Sequence, residues 1–160
     1  MALTVEDGSI VTGADSYISV ADFQAYNTAR GYTLTGDEEQ LLLRAMLYVE
    51  QLSFKGYKLT KAQPLQWPRN GVSIDGFEVT TSEIPQQLID LQCEVALAID
   101  GGDDPLGTID RAVKREKVDV IEVEYQDNAV PFSLNRKIKA LESKLTRVSS
   151  GGTVVELFRA

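Results

Sequence analysis

Few residues of this chain are placed to do covalent chemistry. Asp100, Asp103 and Asp104 lie close enough to suggest a cation site. A calcium loop of the EF-hand kind, however, alternates its ligands and ends on a glutamate, and this run does neither. Glu122 and Glu124 share one face of an expected strand, but solvation accounts for such a pair more simply than acid–base work. The sequence has no histidine, which removes Ser-His-Asp and Cys-His catalysis, histidine zinc sites and the usual proton shuttle near neutral pH. Cys93 is the single cysteine, so no intrachain disulfide forms, and its apolar helical setting predicts a buried thiol. No phosphate-cradling glycine loop, nucleophile elbow or paired-cysteine metal motif is present. The expectation is a protein that is not an enzyme and uses no cofactor or metal.

Charge offers more. Arg136, Lys137, Lys139, Lys144 and Arg147 fall within one expected helix against a single acid, Glu142. Such a helix faces an acidic neighbour or partner, snorkels its cations over a packed surface, or binds nucleic acid. Single-strand binders add several stacking rings, and Phe132 is the only aromatic residue close by in sequence. From Glu83 to Asp110 there are seven acids and no base. Asp90, Glu94, Asp100, Asp103 and Asp104 are therefore expected on a solvated acidic face. The net charge of −8 weighs against wrapping nucleic acid and suits a surface past which DNA slides. At the end of the chain, Ser149-Ser150-Gly151-Gly152 reads as a hinge before a strand-prone segment carrying Val154, Val155, Leu157 and Phe158. That segment either adds as a strand to a neighbouring subunit or folds back beside Val118–Tyr125.

The elements that must position these residues are mostly helical. A length of 160 residues, with 43% hydrophobic and 25% charged, bounds one soluble domain with a core. No apolar run reaches membrane-span length, and the first residues lack a signal peptide's pattern. Ser19, with Asp22 three residues on, caps a helix over about 20–29 that stops at Gly31. A second helix, about 17 residues long, starts after Thr35 or Asp37 with the stripe Leu42, Ala45, Met46, Val49 and Leu52, and ends at Gly56. A third begins near Ser82–Pro85 and carries Ile84, Leu88, Leu91, Val95 and Ala98 in near-heptad spacing up to Gly101-Gly102. A bulged strand is expected over 118–125. A fourth helix, capped by Ser133, carries Leu134, Ile138, Leu141, Leu145 and Val148. Between the second and third helices lies an elbow with the only tryptophan. There Trp67, Pro68, Arg69, Gly71 and Gly76 are expected as a structural pivot, with Asn70-Gly71 and Asp75-Gly76 as hairpin turns. The fold class is thus mainly α: a small bundle of about four helices with a short β element, an extended arm and a C-terminal tail. Residues 1–148 form the domain, with the elbow (56–82) and β segment (113–126) inserted, and residues 149–160 the hinged tail.

An ordered set of short pieces adds a family resemblance. Val5-Glu6-Asp7-Gly8, Ala14-Asp15-Ser16-Tyr17-Ile18-Ser19, Leu65-Gln66-Trp67-Pro68-Arg69 with Gly71 and Asp75-Gly76, Ile84-Pro85 and Arg115-Glu116-Lys117-Val118 resemble the small head–tail connector, or head-completion, proteins of tailed bacteriophages. Some of these carry the label DnaT-like single-stranded-DNA-binding protein. The resemblance implies a structural virion protein in the phage neck, made in the host cytoplasm. Its partners would be the portal protein, a tail-side connector or stopper protein, and further copies of itself in a homo-oligomeric ring, twelve-fold by the same resemblance. Double-stranded DNA would pass through without specific binding, and no membrane would be involved. The alternative from the same label is a replication accessory protein that binds single-stranded DNA.

Overall fold

A computed structural model describes residues 3–105, 116–118, 121–123 and 136–147. Among them, four helices are joined by three short antiparallel strand pairs. The helices are α1 (Val20–Arg30), α2 (Glu38–Val49), α3 (Gln86–Asp100) and α4 (Arg136–Leu145). Strands β1 (Tyr57–Lys58), β2 (Arg69–Asn70), β3 (Ser73–Ile74) and β4 (Phe77–Glu78) lie between α2 and α3. Strands β5 (Glu116–Val118) and β6 (Ile121–Val123) precede α4. The tail residues Val154, Val155, Leu157 and Phe158, with Ser133, Leu134 and Val148, lie outside the described residues.

The helix starts follow their caps. Ser19 Oγ accepts from the Asp22 N–H and donates to the Asp22 carboxylate, and Asp37 accepts from Gln40 N–H at the head of α2. Ile18 and Phe23, flanking the first cap, are both buried. α2 is shorter than its periodicity suggested. Glu50 closes it, and the N–H groups of Gln51 and Leu52 bond to carbonyls three residues back, tightening the last turn. Gly56 serves the next bend instead of the helix end. Its φ is +65°, and a Cβ there would sit 2.1 Å from the Asn70 carbonyl oxygen of β2.

α3 is the central element, packed against both α2 and α4. That two-sided contact explains why Cys93, Ala96 and Ile99 are buried along with Leu88, Leu91 and Val95, where a heptad stripe covers one side only. Burial pushes the Cys93 thiol up to about 12, so it stays protonated. Gln92 is also fully buried, with Oε1 accepting from Tyr17 N–H and Nε2 donating to Ser16 Oγ and the Leu42 carbonyl. This single amide fastens the N-terminal arm to α2 and α3. The arm itself turns around Glu6, 1% exposed, whose carboxylate accepts from the N–H groups of Gly8, Ile10 and Val11.

In the elbow, Trp67 is fully buried and meets Phe54 edge-on at 5.9 Å between ring centroids. The Trp67–Pro68 peptide is cis. Trp67 N–H donates to the Tyr17 hydroxyl, which donates in turn to Glu50. Burial is the main influence that raises the Glu50 carboxyl above its ordinary range. Asp75-Gly76, with φ of +52° and +88°, closes the β3–β4 hairpin in the primed-turn geometry. Asn70-Gly71 closes no hairpin. β2 instead pairs back to β1, with Tyr57 opposite Asn70 and Lys58 opposite Arg69. The expected bulged strand over 118–125 is likewise a pair, β5 against β6, with Val118 opposite Ile121. The slip in hydrophobic phase marks where one strand ends and the next begins.

Candidate nucleic-acid interface

The basic helix shows how its residues divide. Ile138 and Leu145 are fully buried and Leu141 half-buried, which turns one side of α4 to the core. At about 100° per residue, the exposed residues Lys139, Ser143, Arg136, Ala140, Lys144 and Lys137 occupy the opposite arc of the helix. The helix's one acid, Glu142, lies off this arc. It accepts from the Tyr48 hydroxyl of α2, so its charge is held against the body of the protein.

Both ends of α4 meet other elements. At its start, Lys137 Nζ donates to the Tyr32 hydroxyl at 2.8 Å and lies 3.4 Å from the Glu94 carboxylate. The bond to Tyr32 is the leading cause that raises the Lys137 pKa, with the Glu94 charge adding to it, so the ammonium is held charged. At its end, Lys144 pairs with Asp75 at 2.7 Å. Lys55 N–H bonds to the Leu145 carbonyl and Arg147 N–H to the Ser53 carbonyl, tying α4 to the segment before β1. Arg69, only 6% exposed, donates to the carbonyls of Lys55, Gln66 and Gly56. Arg147 donates to the same Gly56 oxygen at 2.6 Å. Burial first, and the Arg147 charge second, lower the Arg69 pKa. Two guanidiniums thus converge on one carbonyl. Among the described residues, no carboxylate forms a salt bridge with Arg136, Lys139 or Arg147.

The rings missing from the neighbouring sequence come from elsewhere in the fold. Tyr32, 39% exposed, stands beside Lys137, and Tyr57, 60% exposed, stands on β1 next to Gly56, where Arg147 lands. Between Lys137 and Leu145 the helix rises about 12 Å, with Tyr32 at its start and Gly56, next to Tyr57, bonded by Arg147 just past its end. Farther along α1, Arg30 stacks over Tyr26 at 3.5 Å. Neither exposed tyrosine was singled out by sequence. The only available signal was an isolated aromatic residue in a polar loop.

The acidic residues do not form the single solvated face expected of them. Glu94 is buried at 8% exposure and accepts from the Tyr26 hydroxyl as well as from Lys137. Asp100 accepts from both Thr35 donors and from Gly36 N–H. Burial, the largest single influence on Asp100, raises its pKa, but these bonds outweigh it and hold the carboxyl below its ordinary range. Asp90 accepts from Gln86, and of these five acids only Asp103 and Asp104 are exposed. Of the elbow residues, Trp67, Pro68 and Arg69 are buried, whereas Gly71 and Gly76 lie at exposed turns.

The described fold and face define a small helical protein with a cationic helix face on which Arg136, Lys139 and Arg147 form no salt bridge with a described carboxylate, and with exposed tyrosines nearby. The family model described as "Putative DnaT-like ssDNA binding protein" matches residues 1–160, and the chain belongs to that family. No curated protein and no solved structure matches the chain. The family match corrects the connector reading. It carries no indication of a head–tail connector, so the structural adaptor role, the portal and stopper partners, the ring, and the passage of DNA without binding are withdrawn. The connector reading came from the resemblance, and the total charge lent it support that a local surface does not give. A net −8 sums over the whole chain, while a ligand at α4 meets the charges within a Debye length of about 10 Å at 0.1 M salt.

Proposed function

We propose that this protein binds single-stranded DNA along the outer face of α4, chiefly through phosphates and stacked bases, and that it acts by binding and not by catalysis. The observation that carries the reading is the exposed arc of Arg136, Lys137, Lys139 and Lys144, continued by Arg147, with Glu142 turned away to Tyr48. Cations on such an arc track the phosphates and release their counterions. Tyr57 and Tyr32 offer faces on which unpaired bases stack, each worth about 1–3 kcal/mol. A duplex keeps its bases stacked on each other and cannot use those rings, which favours single strands. The family description supports the same ligand.

Photochemical cross-linking tests the placement. With a single strand carrying 5-iodouracil, cross-linked peptides are expected from 136–147 and from the segments holding Tyr57 and Tyr32. Cross-links confined to the β3–β4 hairpin or to the acidic turn at 101–104 would contradict it.

A further inference from the structure

Beside the basic face, a cleft of about 240 Å³ opens between the last turn of α1 and the start of α2, lined by Gln24, Asn27, Thr28, Tyr32, Leu34 and Glu38 among others. Its volume is about eight times the ~30 Å³ share of one liquid water, and it falls just below the ~300–1,000 Å³ of pockets for drug-sized ligands. That is the scale of a single planar ring system. Asn27 lines it while being only 3% exposed, and neither its Nδ2 nor its Oδ1 has a hydrogen-bond partner among the described residues. A buried amide with both a donor and an acceptor unused is costly unless something completes it. On the rim, Tyr32 supplies a ring already engaged by Lys137, and Glu38 supplies a carboxylate held by Gln24 Nε2 at 3.2 Å.

We infer that this cleft receives one unstacked nucleobase bearing an exocyclic amine, cytosine or adenine, from a strand lying on α4. The inference rests on the single-strand reading of that face. Both amide atoms of Asn27 are closed to solvent in this structure, so the amide must turn toward the cleft for Oδ1 to accept from the amine and Nδ2 to donate to the adjacent ring nitrogen, the two-point pairing by which an amide reads a base edge. Glu38 at the rim also accepts from an amine and repels the carbonyl oxygen that thymine carries at the same position. Tyr32 stacks on the base, and Lys137 beside it meets the adjoining phosphate.

Oligo-dC, oligo-dT and an abasic strand, each about fifteen nucleotides long, separate the possibilities because their phosphate charge is equal. The wild-type protein is expected to bind oligo-dC roughly tenfold more tightly than oligo-dT, and the abasic strand, which has no base to stack, more weakly than either. Asn27→Leu is expected to bring oligo-dC and oligo-dT together, both still above the abasic strand through stacking on Tyr57 and Tyr32, while leaving the melting temperature equal or higher, since it removes an unpaired buried amide. Equal wild-type affinity for oligo-dC and oligo-dT, or a cytosine preference that survives in Asn27→Leu, would overturn the cleft and leave binding along α4 standing. Binding to none of them would overturn both. Should Asn27→Leu fail to fold, the side-chain amide resonance of Asn27 in the wild-type protein decides. It is expected to shift with oligo-dC and not with the abasic strand, and the reverse or no shift would reject the cleft.

Discussion

Replacing Arg136, Lys139 and Arg147 together by alanine is expected to lower single-strand affinity about 100-fold at 0.1 M salt. The magnitude follows from counterion release. Each phosphate contact on a single strand contributes about 0.7 to the slope of log K against log salt, so three contacts are worth about two decades at 0.1 M relative to 1 M. The same variant should flatten the slope by about 2 and converge with the wild type near 1 M. These three cations were chosen because, among the described residues, none pairs with a carboxylate, whereas Lys137 and Lys144 are engaged by Glu94 and Asp75. Alanine is the best helix former, and the two positions inside α4 are exposed, so the helix survives the change. Arg147 gives up one bond, to the Gly56 carbonyl, which Arg69 continues to satisfy. An unchanged salt slope in a variant that still melts cooperatively would place the DNA elsewhere.

The second large effect concerns stability. Trp67→Ala should cost about 3–5 kcal/mol, as expected for a large ring removed from a close-packed interior, and lower the melting temperature by roughly 6–20 °C. Trp67 is fully buried and lies edge-on to Phe54, and its backbone is held by the Tyr17–Glu50 pair at the end of α2. Phe54 forms an isolated bridge with Thr146 just beyond α4, so the same packing fixes the far end of the basic face. Trp67→Phe should fall between the two. The indole N–H has no hydrogen-bond partner among the described residues, so that change loses volume but no bond. A Trp67→Ala protein that melts within a few degrees of wild type would show that the elbow is not part of the core.

How much of this was legible in the sequence depended on distance along the chain. Local signals held: Ser19 with Asp22, Asp37, and Asp75-Gly76 specify caps and a turn within three or four residues, and each forms. The α4 stripe through Ile138 and Leu145 likewise declared its buried side. Where a long-range contact decides, the sequence misled. The α2 periodicity ran on past Val49, but Glu50 is drawn out to Tyr17 and Gln66. Glu94 looked like one more surface acid, yet Tyr26 lies 68 residues away in sequence and is what makes its burial possible. The shortage of stacking rings near α4 was a count of sequence neighbours. Tyr32 reaches Lys137 across 105 residues, and Arg147 reaches the carbonyl of Gly56, the chain neighbour of Tyr57.

The central claim is that a chain of net charge −8 presents a local cationic face to a single strand. The most direct measurement is fluorescence anisotropy of a labelled oligo-dT titrated with the full chain at a series of salt concentrations, alongside the same length of duplex. The account predicts binding to the single strand that weakens steadily with salt, with a slope of about −2 to −3.5 for three to five contacts, and weaker binding to the duplex. No single-strand binding at the lowest salt, or binding indifferent to salt, would contradict it.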